Sequence, residues 1–181
     1  GLGIGLVDFM VKSQVDPESG DSLPPFGVEG GTSEDAVEPY KKIKGADVEE
    51  NALYLIKANA SINTEAYSYA QTQLSSGKIK FLIDESMAKT KLMSTKVGQN
   101  MDSDKRNEFL KPFTLTSILR EQMLNLVEKN SGVNIILEQS SKSIKKDKFS
   151  AFIYGLYYIK QEEDNKRKRR KRHISDFMFM N

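Results

Sequence analysis

Residues 133–163 constrain this chain more than any other stretch. The apolar run VNIILEQ leads through SSKSIKK to Asp147 and into KFSAFIYGLYYIKQEE. Val133, Ile135, Ile136 and Leu137 form a short β-branched run that predicts a buried strand. Phe149, Phe152, Ile153 and Leu156 recur at i, i+3, i+4 and i+7, which predicts one face of a helix. Between strand and helix sits a single acid, flanked by Lys145, Lys146 and Lys148. Asp147 admits two readings. As an N-cap, its oxygen accepts a backbone N–H of the first turn. As a metal ligand, it holds a divalent ion beside a phosphate that the lysines attract.

Composition narrows the chemistry. With 181 residues, 38% apolar and 29% charged, the chain has the size of one domain with a modest core. No apolar run approaches the ~18 residues that a membrane span needs. Cysteine is absent and His173 is the one histidine, which excludes disulfides, thiolate zinc sites and multi-histidine centres. A metal here would be held by carboxylates and carbonyls, a donor set that favours Mg²⁺ or Mn²⁺. The net charge is +2, yet Lys166, Arg167, Lys168, Arg169, Arg170, Lys171 and Arg172 are seven adjacent cations, so the remainder carries −5. One basic block on an acidic body is an electrostatic footprint for a polyanion.

Along the chain, Gly1, Gly3 and Gly5 predict a tight turn before a short helix bearing Leu6, Phe9 and Met10. Residues 16–50 are rich in proline, glycine and acids and predict a long loop. Ala52–Ile56 reads as a strand and Thr64–Leu74 as a helix. Ile79, Phe81 and Ile83 alternate as in a half-buried strand, with Asp84 and Glu85 as caps of a helix over SMAKTKLM. The polar residues 89–107 predict a solvated loop, ended by Pro112. Thr116 then starts a helix whose buried face is Ile118, Leu119, Met123, Leu126 and Val127, and Gly132 closes it. Beyond Glu162 the basic block prolongs the last helix, and the tail 164–181 ends in an apolar segment containing Phe177 and Phe179.

The segment Ile144-Lys145-Lys146-Asp147-Lys148-Phe149-Ser150-Ala151-Phe152, followed by Tyr154-Gly155, resembles the last acidic motif of phage terminase large-subunit nuclease domains. The opening GLGIGLVDFM is similar to the glycine turn and helix that come after that family's middle acidic strand. LPPFGVEGG, the stretch 52–85 and LTSILREQMLNL resemble linking elements of some members, so the likeness runs nearly end to end. It implies an α/β fold over 1–181, a ribonuclease H-like mixed sheet flanked by helices, incomplete on its N-terminal side. It further implies a metal-dependent endonuclease that cuts concatemeric DNA during genome packaging. Asp147 would be a catalytic metal ligand for Mg²⁺ or Mn²⁺, and Lys145, Lys146 and Lys148 would attract the phosphate backbone. The implied partners are double-stranded DNA, the portal and the small terminase subunit; the implied place is the host cytoplasm.

The family draws acids from three places, and Asp147 is the one acid of that set present here. Asp8 falls in the helix after the glycine turn, the wrong place for the middle acid. The chain reads as a piece of a longer one, and a poor nuclease alone. The rival reading is a non-catalytic DNA- or partner-binding module that acts through the basic tail. Acids gathered around Asp147 favour the nuclease; an isolated Asp147 favours the module.

Overall fold

The computed structural model describes residues 2–41 and 51–178, in two units, Gly1–Asn59 and Ala60–Asn181. The fold is mixed α/β and dominated by helix. The described strands form three separate pairs.

In the first unit, α1 (Leu2–Met10) is helical through Gly3 and Gly5, where a turn was expected. Val11 closes it, donating to Val7 O at 3.0 Å and burying its side chain, whereas Leu6 and Phe9 stay exposed. β1 (Gln14–Val15) and β2 (Ser22–Leu23) then form an antiparallel hairpin within the segment read as loop. Asp16 organises its turn by accepting from Glu18 N and Ser19 Oγ, both at 2.9 Å. These bonds, the backbone one first, hold its carboxyl below the usual range. β3 (Gly27–Gly31) runs parallel to β4 (Asn51–Leu55), and α2 (Glu34–Val37) with a 3-10 turn, Glu38–Tyr40, lies between them in sequence. A Cβ on Gly31 would sit 2.5 Å from Leu55 O and 2.8 Å from Val37 Cγ2, so the close approach of α2 to the strand pair requires glycine. Tyr40 OH donates to Asp8 Oδ1 at 2.7 Å, which gives Asp8 a structural partner.

The second unit contains α3 (Ala60–Ser75), α4 (Glu85–Met93), α5 (Lys96–Asn100), α6 (Ser103–Leu124), the hairpin β5 (Leu126–Ser131) and β6 (Asn134–Gln139), and α7 (Asp147–Met178). α3 packs against both β6 and α7. Ala66 and Ala70, one turn apart, are fully or nearly buried, and their small size lets α3 lie close to its neighbours. From α7, Phe149 and Ile153 are buried as the periodicity predicts, Phe152 and Leu156 are half-buried, and Tyr157, outside the expected face, is buried with them. A second cluster joins Ala88, Leu92 and Leu110, with Met101 and Phe113 against it.

Several local expectations give way here. Residues 78–84 form no strand. Phe81 instead meets Phe152 at 5.9 Å and lies 5.6 Å from the Arg120 guanidinium, while Arg120 Nη2 donates to Leu82 O at 2.8 Å. With its carbonyl taken by a side chain, the segment lacks a ladder partner. Residues 89–107 are largely helical rather than loop, because side-chain caps start three helices in succession. Asp84 accepts from Ser86 N, Thr95 from Gly98 N and Asp102 from Lys105 N. The Ser86 hydroxyl, then its N–H, hold the Asp84 carboxyl below the usual range. Pro112 and Thr116 lie inside α6, where the end of a loop and the start of a helix were expected. The packing of Leu110 and Phe113 on the α4 side offsets the hydrogen bond that the proline ring removes.

Leu126 and Val127 belong to β5 rather than to the preceding helix. The turn Gly132–Val133 reverses the chain with positive φ at Gly132 alone, the pattern of a type II′ hairpin. β6 is not a buried strand: Ile135 and Leu137 are half-buried, and Ile136 and Glu138 face outward. Among the described residues, no helix is long and apolar enough to cross a membrane.

Candidate nucleic-acid interface

Asp147 is the first residue of α7, eight positions beyond the end of β6. The loop that carries it is tied down by Asn125, the residue after α6, which is 9% exposed. Asn125 Nδ2 donates to Ser141 O at 2.8 Å, and its Oδ1 accepts from Ser141 N at 2.9 Å. Its backbone carbonyl accepts from Ser140 N at 2.8 Å, and Gln139 Nε2 donates to Ile144 O farther along. These bonds fix the path of the loop into the helix.

The cap of α7 comes from elsewhere in the chain. Gln122 on α6, 6% exposed, accepts the Phe149 N–H on its Oε1 at 3.0 Å. Ser150 N donates to Lys146 O at 2.9 Å, which makes Lys146 the residue flanking the helix and Asp147 its first helical position. The N-cap reading of Asp147 is therefore corrected. Its carboxylate is exposed and makes no hydrogen bond or ion pair among the described residues. Lys145 is exposed, Lys146 and Lys148 are half-buried, and none of the three is ion-paired among the described residues.

The surroundings of Asp147 do not fit a metal pair. Among the described residues no three acids or histidines come close enough together to hold an ion. Three clefts of the unit are lined by α4 and α6, by Asp84 and Asn125, and by α3 with the hairpin; Asp147 lines none of these three. One carboxylate without companions cannot hold two ions about 4 Å apart.

The basic block lies on α7 itself. The helix has 32 residues, a length of about 48 Å at 1.5 Å per residue. Its anchored part is clamped to α3 by polar bonds: Tyr154 OH to Asn63 Oδ1 at 2.9 Å, Tyr69 OH to Glu163 Oε2 at 3.3 Å, and Lys160 Nζ to Glu65 Oε1 at 2.5 Å. Lys160 also pairs with Asp164 at 3.1 Å, and Glu65 first, then Asp164, raise its ammonium above the usual range. The seven cations start at Lys166, three residues after Glu163, the last residue of this clamp.

Glu162, Glu163 and Asp164 precede Lys166, Arg167 and Lys168 at i→i+4, the orientation that supports a helix. Lys166, Arg167 and Lys168 are exposed and free of ion pairs among the described residues. Arg169, Arg170, Lys171 and Arg172 continue on the same helical backbone. At about 100° per residue the seven positions sweep nearly two turns, so cationic positions surround the axis. Phe179 lies outside the described residues.

Sequence reasoning missed Gln122, Asn125 and Lys160. Gln122 and Asn125 sit in a run read as a plain amphipathic helix. The one local signal was a glutamine among otherwise apolar inward positions. No protein-family model, curated protein or solved structure matches the chain.

Proposed function

We propose that the chain acts as a DNA-binding module within a terminase-type, ribonuclease H-like setting, and that its own residues hold duplex DNA by the phosphate backbone through the cationic end of α7. The observation that carries this reading is a seven-cation run on a helix that continues past its clamp, with its first three cations exposed and unpaired among the described residues. Adjacent lysines and arginines supply charge but no geometry for reading bases, so the contact is sequence-independent. Lys145, Lys146 and Lys148 add charge at the other end of the same helix.

The order hairpin, pinned loop, Asp147, then a helix carrying Ser150 and Ala151 supports the terminase part of the reading. So does the parallel pair β3–β4, because parallel strands ordinarily belong to larger, covered sheets. Asp147 stands without acidic companions among the described residues, so Mg²⁺ or Mn²⁺ would be held there only with carboxylates that these residues do not supply. Portal and small subunit are the protein partners, and the host cytoplasm is the compartment. Catalysis is not assigned to these residues alone.

Two measurements test the proposal. Titrating labelled duplex at several salt concentrations should give a steep slope, about −0.9 per phosphate contacted. Replacing Lys166–Arg172 by glutamine should flatten it by the equivalent of four to seven contacts, about 4–6 in slope, and equally for unrelated sequences. Identical affinity and slope in the two proteins would remove the DNA role of α7.

The second measurement is plasmid cleavage with Mn²⁺. The chain alone is expected to stay at background. Robust cutting that Asp147→Asn abolishes would mean that local groups complete a metal site.

A further inference from the structure

Three cations share a cleft of about 770 Å³ between α4 and α6. Lys89 comes from α4; Arg106 and Lys111 come from α6. Glu85 and Glu108 line the same walls, so three cations against two acids leave the lining at +1. Neither acid is within ion-pair distance of any of the three cations among the described residues.

Arg106 is held by neutral groups. Its Nη2 donates to Met101 O at 2.8 Å and to Gly98 O at 3.4 Å, and its Nε is buried without an acceptor. The guanidinium is thereby fixed in place while its charge meets no carboxylate. A fixed, uncompensated cation in a concave wall raises the local potential for anions more than the same charge on an open surface. Ser103, Asn107 and Thr114 line the same cleft and offer hydrogen bonds to phosphate oxygens.

We propose that this cleft is a second phosphate-contacting site, for the backbone of a nucleic acid. The identity of that ligand rests on the reading of α7 given above; the site itself rests on the cleft. Lys89 and Lys111 contact phosphate from opposite walls, and the pinned Arg106 guanidinium supplies fixed charge between them. The acids on the walls hold the net charge of the lining at +1, so the site favours a polyanion that spans several phosphates over a small free anion.

Lys89→Gln with Lys111→Gln tests this without touching the Arg106 bonds or the Ala88–Leu92–Leu110 core, since both lysines are exposed. Duplex binding would be measured over a salt series for four proteins: the full chain, the cleft double variant, the chain with Lys166–Arg172 replaced by glutamine, and the combination. Loss of two contacts should flatten the slope by about 1.8 in either background. A slope unchanged by the cleft substitutions in both backgrounds, with the far-ultraviolet spectrum of the fold intact, overturns the proposal.

The two readings fail separately. Flattening by the cleft variant alone would remove α7 and leave the cleft; flattening by the α7 variant alone would do the reverse. Inorganic phosphate at matched ionic strength completes the test. If it binds the full chain and not the cleft variant while the duplex slopes of the two are the same, the cleft is a site for the free ion, and the assignment to nucleic acid falls.

Discussion

Ile153→Ala is expected to lower the unfolding free energy by about 2–5 kcal/mol, the largest effect of any single change considered. Ile153 is 1% exposed, more deeply buried than the other large hydrophobics of α7 among the described residues, with Phe149 and Tyr157 one turn to either side. Truncation removes its transfer free energy and leaves a void. The void is costly because α3 presents alanines to this core: Ala66 and Ala70 have no flexible side chains that could swing into the space. Urea denaturation of the two proteins measures the change, with an unchanged m-value showing that the same surface is exposed. A cost below ~1 kcal/mol would contradict the packing of α7 on α3. The variant should also loosen the anchored half of the helix from which the basic block extends.

Gln122→Met is expected to cost about 1–3 kcal/mol, the penalty of leaving a buried donor unsatisfied. Methionine matches glutamine in length and removes the oxygen that accepts the Phe149 N–H at 3.0 Å. Phe149 is itself 7% exposed, so water has little access to that amide once the acceptor is gone. Amide exchange at Phe149 should accelerate more than exchange at Ile153, because the loss is local to the first turn. Neutral stability together with unchanged exchange would sink Gln122 as the cap of α7. The prediction bears on function, since Gln122 and Asn125 together set where Asp147 stands.

Much of α7 was legible in the sequence. Phe149 and Ile153 are one turn apart, and a helix's buried face is set directly by such spacing. The Asp84 cap was legible too, because capping joins residues two or three apart. The run 89–107 was misread for a physical reason. Its polar composition resembles a loop, while Thr95 and Asp102 were already in place as caps of short helices. Pro112 misled in the same sense: proline after a polar run reads as the end of a loop, but it lies within α6, where packing at Leu110 and Phe113 offsets the lost bond.

The strand expected at residues 79–83 had the right alternation. Alternation describes a face, however, and a strand also needs a partner edge. Arg120, some forty residues later, took the Leu82 carbonyl instead.

By itself the sequence determined three things: the amphipathic face of α7, a chemistry without thiolates or histidine clusters, and a cation block that attracts polyanions. Each depends on residues near one another along the chain, or on plain counting. The surroundings of Asp147 were decided by tertiary structure alone. Strand, acid and helix in succession are equally compatible with a cap and with a metal ligand. The two are separated by whether other acids arrive, and that depends on segments far away in sequence. Here Gln122 arrives to cap the helix and Asn125 arrives to hold the loop, while no group of acids gathers among the described residues. A side chain's chemistry is local, but its partners come from the packing of α6 on α7.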